Sequence, residues 1–490
     1  MELECLLEEL PDALVEGDTA VVLESIHCDS RLVGQGDLFV AVRGGQEQDR
    51  HHFVGDAVAR GVHAVVVEDK VDCGGVTRVQ VDDCRLALAR LSARFYAFPG
   101  HQMLNVGITG TNGKTTTAFL LRSVLESAGL ACGYVGTLGC WIEGGLQQIA
   151  NTTPEAPELH RLLRSMVDKG KRATVLEVSS HGLALKRVEG IPFHAAVFTN
   201  LTRDHLDFHG SWDQYFSAKA LLFEGMAEDG IAVINIDDPM STELIRRTRG
   251  RILTYGYSEM AQVRLQQADS GVHGTTLSFA TDWGQLAVDV SLLGSFNRSN
   301  VMAALATGLA LDLDPAAVCR GVASVQNVPG RFERISEGQD FEVIVDYAHT
   351  PDALRRVLQA ARELMPQRLI CVFGCGGDRD QGKRVLMGEV ASELADITVV
   401  TSDNPRSEKP AQIVAEVAAG MAQCSDFYCE VDREQAIRFA LAKARNGDII
   451  VVAGKGHEST QELSNRVIPF DDREVARRAL RLLLTGERRP

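Results

Sequence analysis

Leu104 to Thr117 reads LNVGITGTNGKTTT, an apolar run that breaks into a glycine-rich loop and leads into helical spacing over Thr115 to Ser127. A loop between a strand and a helix points its backbone N–H groups and the helix N-terminus at one spot, which suits phosphate oxygens. Across Gly110, Thr111, Asn112, Gly113, Lys114, Thr115 and Thr116, the Lys114 ammonium would reach the β- and γ-phosphates of a nucleoside triphosphate. The Thr115 hydroxyl would bind Mg2+. The loop is a variant, because the glycine wanted five positions before Gly113 is Ile108, with Gly107 and Gly110 on either side. The bland alternative is a glycine-rich turn with a surface lysine, and the strand–loop–helix context speaks against it.

The same punctuation recurs outward from this loop. Thr174 to Val178 precedes SSHG, and Ala195 to Thr199 precedes NLTRDHLDFHG. Further on, Val343 to Val345 leads into DYAHTP, Leu369 to Phe373 into GCGGDRDQGKR, Ile397 to Val400 into TSDNPRSEKP, and Ile449 to Val452 into AGKGHE. Apolar runs alternating with helical stretches predict βαβ units and parallel sheets. In open parallel sheets ligands bind at the carboxyl ends of the strands, so the last four loops predict one crowded edge. Before Leu104, the runs 37–42, 64–67 and 79–81 with helical spacing over 86–98 predict a smaller α/β unit, closed by Phe98-Pro99-Gly100. Val328-Pro329-Gly330-Arg331 marks the next boundary. The expectation is an α/β chain of three domains, 1–100, 101–330 and 331–490: a small N-terminal unit, a central phosphate-loop parallel sheet and a C-terminal Rossmann-like unit.

Length agrees, since 490 residues at roughly 100–200 per domain suggest three. The net charge of −16 excludes broad nucleic-acid binding, which needs a basic surface, but not a nucleotide at a local positive site. The 11 cysteines show no Cys-x-x-Cys pair and read as free thiols in a reducing compartment. No run approaches the roughly 18 apolar residues of a membrane span, and the acidic start is unlike a signal peptide. A cytoplasmic protein with no membrane span is expected.

Glu177 ends one apolar run, and His205, Asp207 and His209 follow another. Carboxylate and imidazole at these edges could hold Mg2+ against phosphates; an exposed alternating stretch or a hydrolytic metal centre would read the same. Asn297 and Asn300 in GSFNRSN suit an adenine edge or a helix N-cap cluster. NTTP at Asn151 to Pro154 is a turn and cap signal, Lys219 reads as an ordinary helix-surface lysine, and Asp403-Asn404-Pro405-Arg406 as a proline loop with solvated charges.

The full string TGTNGKTTT, with motifs in all three segments over about residues 25 to 475, resembles the Mur ligases, which build the peptide stem of peptidoglycan. Folate-glutamylating relatives share the loop more loosely. The resemblance implies a monomeric ATP- and Mg2+-dependent amide-bond ligase that closes on binding. It implies catalytic roles for Lys114, Glu177, His205 and Lys219, with Thr115, Glu177, His205 and Lys219 at the metal and Lys219 carried as a carbamate made from CO2. Asn297, Asn300, Arg331 and Asp346 would lie near the nucleotide. UDP-N-acetylmuramoyl-L-alanyl-D-glutamate would meet Cys28, Ser30, Gly45, Gln46 and Glu47 in the N-terminal segment, then Asn151, Thr152, Thr153, Ser179, Leu185 and Arg187. Leu185 departs from the glutamine of many members, which puts that hydrogen bond in doubt.

Within the family, the tetrad Asp403-Asn404-Pro405-Arg406 marks members that add meso-2,6-diaminopimelate. The chemistry agrees: a guanidinium binds the extra distal carboxylate through two parallel hydrogen bonds and repels lysine's cation. The resemblance therefore implies a diaminopimelate site of Arg406 and Arg379 on carboxylates, Glu458 on the distal ammonium, and Asp403, Asn404, Pro405 and Gly454 around them. Two alternatives stay open at this point: the same ligation with L-lysine or by a folate relative, and a nucleotide-dependent binding protein without ligase chemistry.

Overall fold

The computed structural model describes residues 1–44, 49–271, 274–421 and 426–485. Gly45, Gln46 and Glu47 of the expected substrate contacts lie outside them. The chain packs as two compact units. The first holds 1–266, 278–286 and 300–322; the second holds 267–277, 287–299 and 323–490.

The first unit contains two sheets. The N-terminal one orders its strands Leu14–Glu16, Thr77–Gln80, Ala64–Val67, Leu38–Val40 and Ile26–His27, all neighbours parallel except the first pair. Its strands Leu38–Val40 and Ala64–Val67 are buried throughout, so they read as unbroken apolar runs, whereas Thr77–Gln80 alternates and Leu14–Glu16 is exposed. Helix Cys84–Phe95 covers one face. Its N-cap is Asp83, whose carboxylate accepts the N–H groups of Arg85 and Leu86 at 2.9 Å each. These are donors that the first helical turn would otherwise leave unpaired.

Within the central sheet, Arg251–Gly256, Ile231–Asn235, Ala195–Phe198, Leu104–Thr109, Ala173–Glu177 and Cys132–Gly136 lie in that order and are parallel, and Cys132–Gly136 then pairs antiparallel with Gly139–Trp141. Leu104–Thr109 is thus flanked by the two strands that carry the other polar loops. Register sets the site: Glu177 lies opposite Ile108, and Phe198 opposite Thr109. All three loops therefore leave the same sheet edge side by side.

In the second unit the sheet orders Glu333–Arg334, Glu342–Asp346, Ile449–Ala453, Leu369–Cys375, Ile397–Ser402 and Phe427–Cys429, parallel but for the first pair. Alternate residues feed two cores, Ile344, Cys371 and Val451 into one, Val343, Val372 and Val452 into the other. A sheet covered on both faces needs no polar alternation. The four loops expected on one edge all follow the carboxyl ends of these parallel strands. The second unit's described residues thus bear out the edge that the sequence predicts. Among the described residues, no helix is long and apolar enough to cross a membrane.

Replacing the cap, Asp83→Ala, should lower stability by about 1 kcal/mol. Urea unfolding would read this as an earlier midpoint; an unchanged midpoint would show that helix Cys84–Phe95 does not depend on its cap.

Candidate active site

The phosphate loop is built by glycine geometry. Gly113 has φ +87°, and a Cβ there would sit 2.3 Å from Asn300 Oδ1, so only glycine fits before helix Lys114–Ser127. The loop is zipped to the neighbouring strand's exit: Asn112 N donates to Asn200 Oδ1 at 3.0 Å, Thr199 Oγ1 to Asn112 O at 2.6 Å, and Thr111 N to Asn200 O at 2.8 Å. Lys114 Nζ folds back on Gly110 O and Thr111 O, both at 2.8 Å.

Glu177, 1% exposed, accepts four neutral donors. Tyr134 OH lies at 2.6 Å, Thr137 Oγ1 at 2.9 Å, Thr115 Oγ1 at 3.0 Å and Thr137 N at 3.1 Å. Hydrogen bonds to a charged group contribute about 1.5–3 kcal/mol each, which offsets its burial. Among the described residues it has no ion pair, so its charge is solvated but not cancelled. A hard divalent cation between this carboxylate and the Thr115 hydroxyl fits that oxygen donor set.

Lys219 is not a surface lysine. On helix Trp212–Glu224 it is 2% exposed, with Nζ donating to Gly110 O at 2.9 Å and lying 4.6 Å from the Tyr215 ring centre. A cation–π contact supplies about 2 kcal/mol, against several kcal/mol for burying an ammonium. Desolvation therefore wins, and with Lys114 nearby it holds the Lys219 amine well below its ordinary range, favouring the neutral form. Tyr215 is itself anchored, its OH 3.0 Å from Thr111 Oγ1.

His205 caps helix Leu206–His209 at φ +52° and sits edge-on to His181, ring centres 4.8 Å apart. Burial, then Lys114 and Lys219, push its pKa down against the pull of Asp204. Its neutral imidazole is thereby available as a ligand. His209, buried, bonds Ser180 Oγ at 2.9 Å. Lys114, Thr115, Glu177 and Lys219 thus converge on this sheet edge. Asn300 is 6% exposed there, with Thr117 Oγ1 donating to its Oδ1 at 3.4 Å. Thr116 is buried in the helix's first turn.

Beside it, Thr153 Oγ1 donates to Glu177 O at 2.9 Å and takes the Ser179 N–H at 3.0 Å. Ser179 caps helix Ser180–Ala184. Arg187 donates to Thr153 O at 3.0 Å and Glu155 Oε1 at 2.7 Å. Thr152 Oγ1 lies 3.2 Å from Thr137 Oγ1, while Asn151 is exposed. Leu185 ends the short helix and offers no side-chain hydrogen bond. In the N-terminal segment Ser30 and Cys28 are buried, and burial, then Glu155, pushes the Cys28 thiol up to about 11. Cys28 O accepts from Arg50.

In the second unit, Asn297 Nδ2 donates to Leu293 O at 2.7 Å. Asp346 accepts Phe332 N at 2.6 Å and Ala348 N at 2.8 Å, and burial raises its pKa despite Arg331. The Arg331 guanidinium lies 4.6 Å from the Tyr347 ring centre. The 403–406 loop is a network rather than a solvated turn. Asn404 Nδ2 donates to Glu458 Oε2 at 2.9 Å, and Lys455 Nζ, fully buried, bridges Asn404 Oδ1 at 2.9 Å and Glu458 Oε2 at 2.8 Å. Arg406, at φ +49°, donates through Nη1 to Gly377 O at 2.8 Å and pairs through Nε with Glu462 at 2.7 Å. Arg379 is exposed, donating to Asp378 O at 3.3 Å. Pro405 is buried among these turns.

Sequence reasoning missed Tyr134, Thr137, Asn200, Tyr215, Lys455 and Glu462. Asn200 and Lys455 stood inside the motif strings, whereas a lone tyrosine in an apolar run carries no sign of its partner.

His181 is pushed from its ordinary 6.5 to about 4, by burial first and then by His205 and His209. Because the unfolded chain takes up this proton first, stability falls as pH drops from 6.5 toward about 4. Histidine-selective NMR should find its midpoint near 4; a midpoint at 6.5 would show an accessible ring.

Residues 108–308 match the Mur ligase middle domain, and 330–456 the Mur ligase, glutamate ligase domain. The chain is 45% identical over 477 residues to the UDP-N-acetylmuramoyl-L-alanyl-D-glutamate--2,6-diaminopimelate ligase of Solibacter usitatus, covering 96% of both. It is 43% identical over 486 residues to the ligase of the same name from Syntrophomonas wolfei, covering 98% of this chain and 99% of that one. A solved structure of a ligase of that name superposes with a TM-score of 0.70 at 33% identity, over 99% of this chain and 100% of that one.

Proposed function

The chain belongs to the Mur ligase family, and from that premise we propose that it joins meso-2,6-diaminopimelate to UDP-N-acetylmuramoyl-L-alanyl-D-glutamate at the expense of ATP. The observation that carries this is the meeting of two lysines on one loop carbonyl, Gly110 O, beside a buried carboxylate bonded to the loop's own threonine. One lysine is placed for phosphate, and the other is poised as a neutral amine.

The D-glutamyl γ-carboxylate attacks the γ-phosphorus, the bond to ADP breaks, and an acyl phosphate forms. The diaminopimelate amine then attacks that carbonyl, a tetrahedral intermediate collapses, and phosphate leaves. Lys114 and the loop N–H groups from Gly110 to Thr116 hold the phosphates and offset the charge that builds there. Thr115, Glu177 and His205 would hold Mg2+, which supplies charge neutralisation at the transferring phosphoryl group. The neutral Lys219 amine adds to CO2 with loss of a proton, giving a carbamate, so that an uncharged amine would become an anionic group able to help hold the metal. Ser30, Cys28, Gly45, Gln46 and Glu47 bind the UDP-sugar. Asn151, Thr152, Thr153, Ser179 and Arg187 bind the muramyl peptide, with Leu185 a packing contact only.

Arg406 takes the distal carboxylate of diaminopimelate, with Arg379 on another carboxylate. Glu458 takes the distal ammonium through Oε1, its Oε2 being occupied by Lys455 and Asn404. A monomer working in the cytoplasm fits this chemistry and the free thiols of the described cysteines.

Purified protein with ATP, Mg2+ and the UDP-muramoyl dipeptide should give the tripeptide mass with meso-diaminopimelate and not with L-lysine. Product with lysine alone would overturn the role of Arg406, and no product with either would overturn the ligase. Lys219→Ala should lower kcat at least about a hundredfold, partly restored by an added short carboxylate. Full activity in that variant would remove the carbamate.

A further inference from the structure

Arg433 and Asp472 form an ion pair in which both side chains are fully buried, Nη2 to Oδ2 and Nε to Oδ1 both 2.7 Å. Each opens a helix, Arg433–Lys443 and Asp472–Thr485. The positive end of a helix dipole favours the aspartate and disfavours the arginine. Burying two ions also carries a desolvation penalty that a well-packed apolar pair avoids. Stability alone does not account for a guanidinium here.

Its other hydrogen bonds do. Nη1 donates to Ser402 O at 3.2 Å and Nη2 to Ala453 O at 2.9 Å. Ser402 ends strand Ile397–Ser402, and Ala453 ends Ile449–Ala453. These strands are not neighbours, because Leu369–Cys375 runs between them, so backbone pairing cannot set the spacing of their ends directly. The 403–406 loop starts one residue after the first carbonyl, and the loop carrying Lys455 and Glu458 one residue after the second. The two loops touch there: a Cβ on Gly454, at φ +119°, would lie 2.6 Å from Asp403 Oδ2 and 3.7 Å from Arg433 Nη2. Gln461 Nε2 completes the clamp, donating to Asp403 O at 2.6 Å.

We propose that Arg433, oriented by Asp472, is a positioning residue for selection of the incoming diamino acid. It fixes the separation of the two loops and with it the spacing between Arg406 and Glu458, which must match the distal carboxylate and ammonium of one substrate. The inference rests on the ligase function proposed above.

Two variants test it. Arg433→Met with Asp472→Leu removes the clamp while leaving an apolar pair of similar volume. Arg433→Lys keeps the ion pair and loses the fork that reaches two carbonyls. Both should raise KM for meso-diaminopimelate at least about tenfold and lower its preference over L-lysine, with KM for ATP within about twofold of the parent. Unchanged KM for diaminopimelate in either folded variant, or equal rises for both substrates, would overturn the proposal. Failure of both to fold, by thermal denaturation, would also overturn it, since the pair would then serve the fold. Wild-type protein assayed in parallel separates the two ideas: no amide product from it overturns the ligase and the inference together, whereas product with unaltered variants overturns the inference alone.

Discussion

Glu177 carries its carboxylate into the interior of the first unit and finds hydroxyls and one backbone N–H there, with no cation among the described residues. An ionised carboxylate in that position is tolerable only when every lone pair is met. That requirement draws together Tyr134 and Thr137 from one side and Thr115 from the phosphate loop. The loop's placement, the seat of helix Lys114–Ser127 and the path of the Thr153 segment, which bonds Glu177 O, follow from it. The arrangement leaves a negative charge solvated but not neutralised next to a phosphate cradle, which is the electrostatic condition for holding a divalent ion there.

Lys219 shows the opposite solution to the same constraint. It is buried with one carbonyl and a ring face as partners, too little to keep an ammonium, so it tends toward the neutral amine. The two residues meet burial differently: an acid held by four neutral donors and an amine pushed toward its neutral form. Burial leads at Lys219 and hydrogen bonds hold Glu177, and both depend on the rigid spacing of parallel strands.

The second unit handles charge differently. Its loops at the carboxyl ends of the strands are tied by paired groups: Lys455 with Glu458, Arg406 with Glu462, and Arg433 with Asp472. Loops fixed in this manner hold their charged groups at set distances.

Much of this was legible in the chain itself. Apolar runs ending in polar loops predicted the strands Leu104–Thr109, Ala173–Glu177, Ala195–Phe198 and, in the C-terminal sheet, Glu342–Asp346, Leu369–Cys375, Ile397–Ser402 and Ile449–Ala453 to within one or two residues, because buried parallel strands leave an unbroken hydrophobic signal. TGTNGKTTT, a short string with local chemistry, pointed to the family to which the chain belongs. What tertiary structure alone decided was environment. Lys219 reads as a surface lysine until helix Trp212–Glu224 is seen to press it under Gly110 O, and Tyr134 has no visible role until Glu177 arrives from a strand 43 residues away. Arg433 and Asp472 lie 39 residues apart in unremarked helical stretches. Local sequence encodes periodicity and turn chemistry; burial and charge partnership are properties of contacts between distant segments, and they exist only once the sheets have formed.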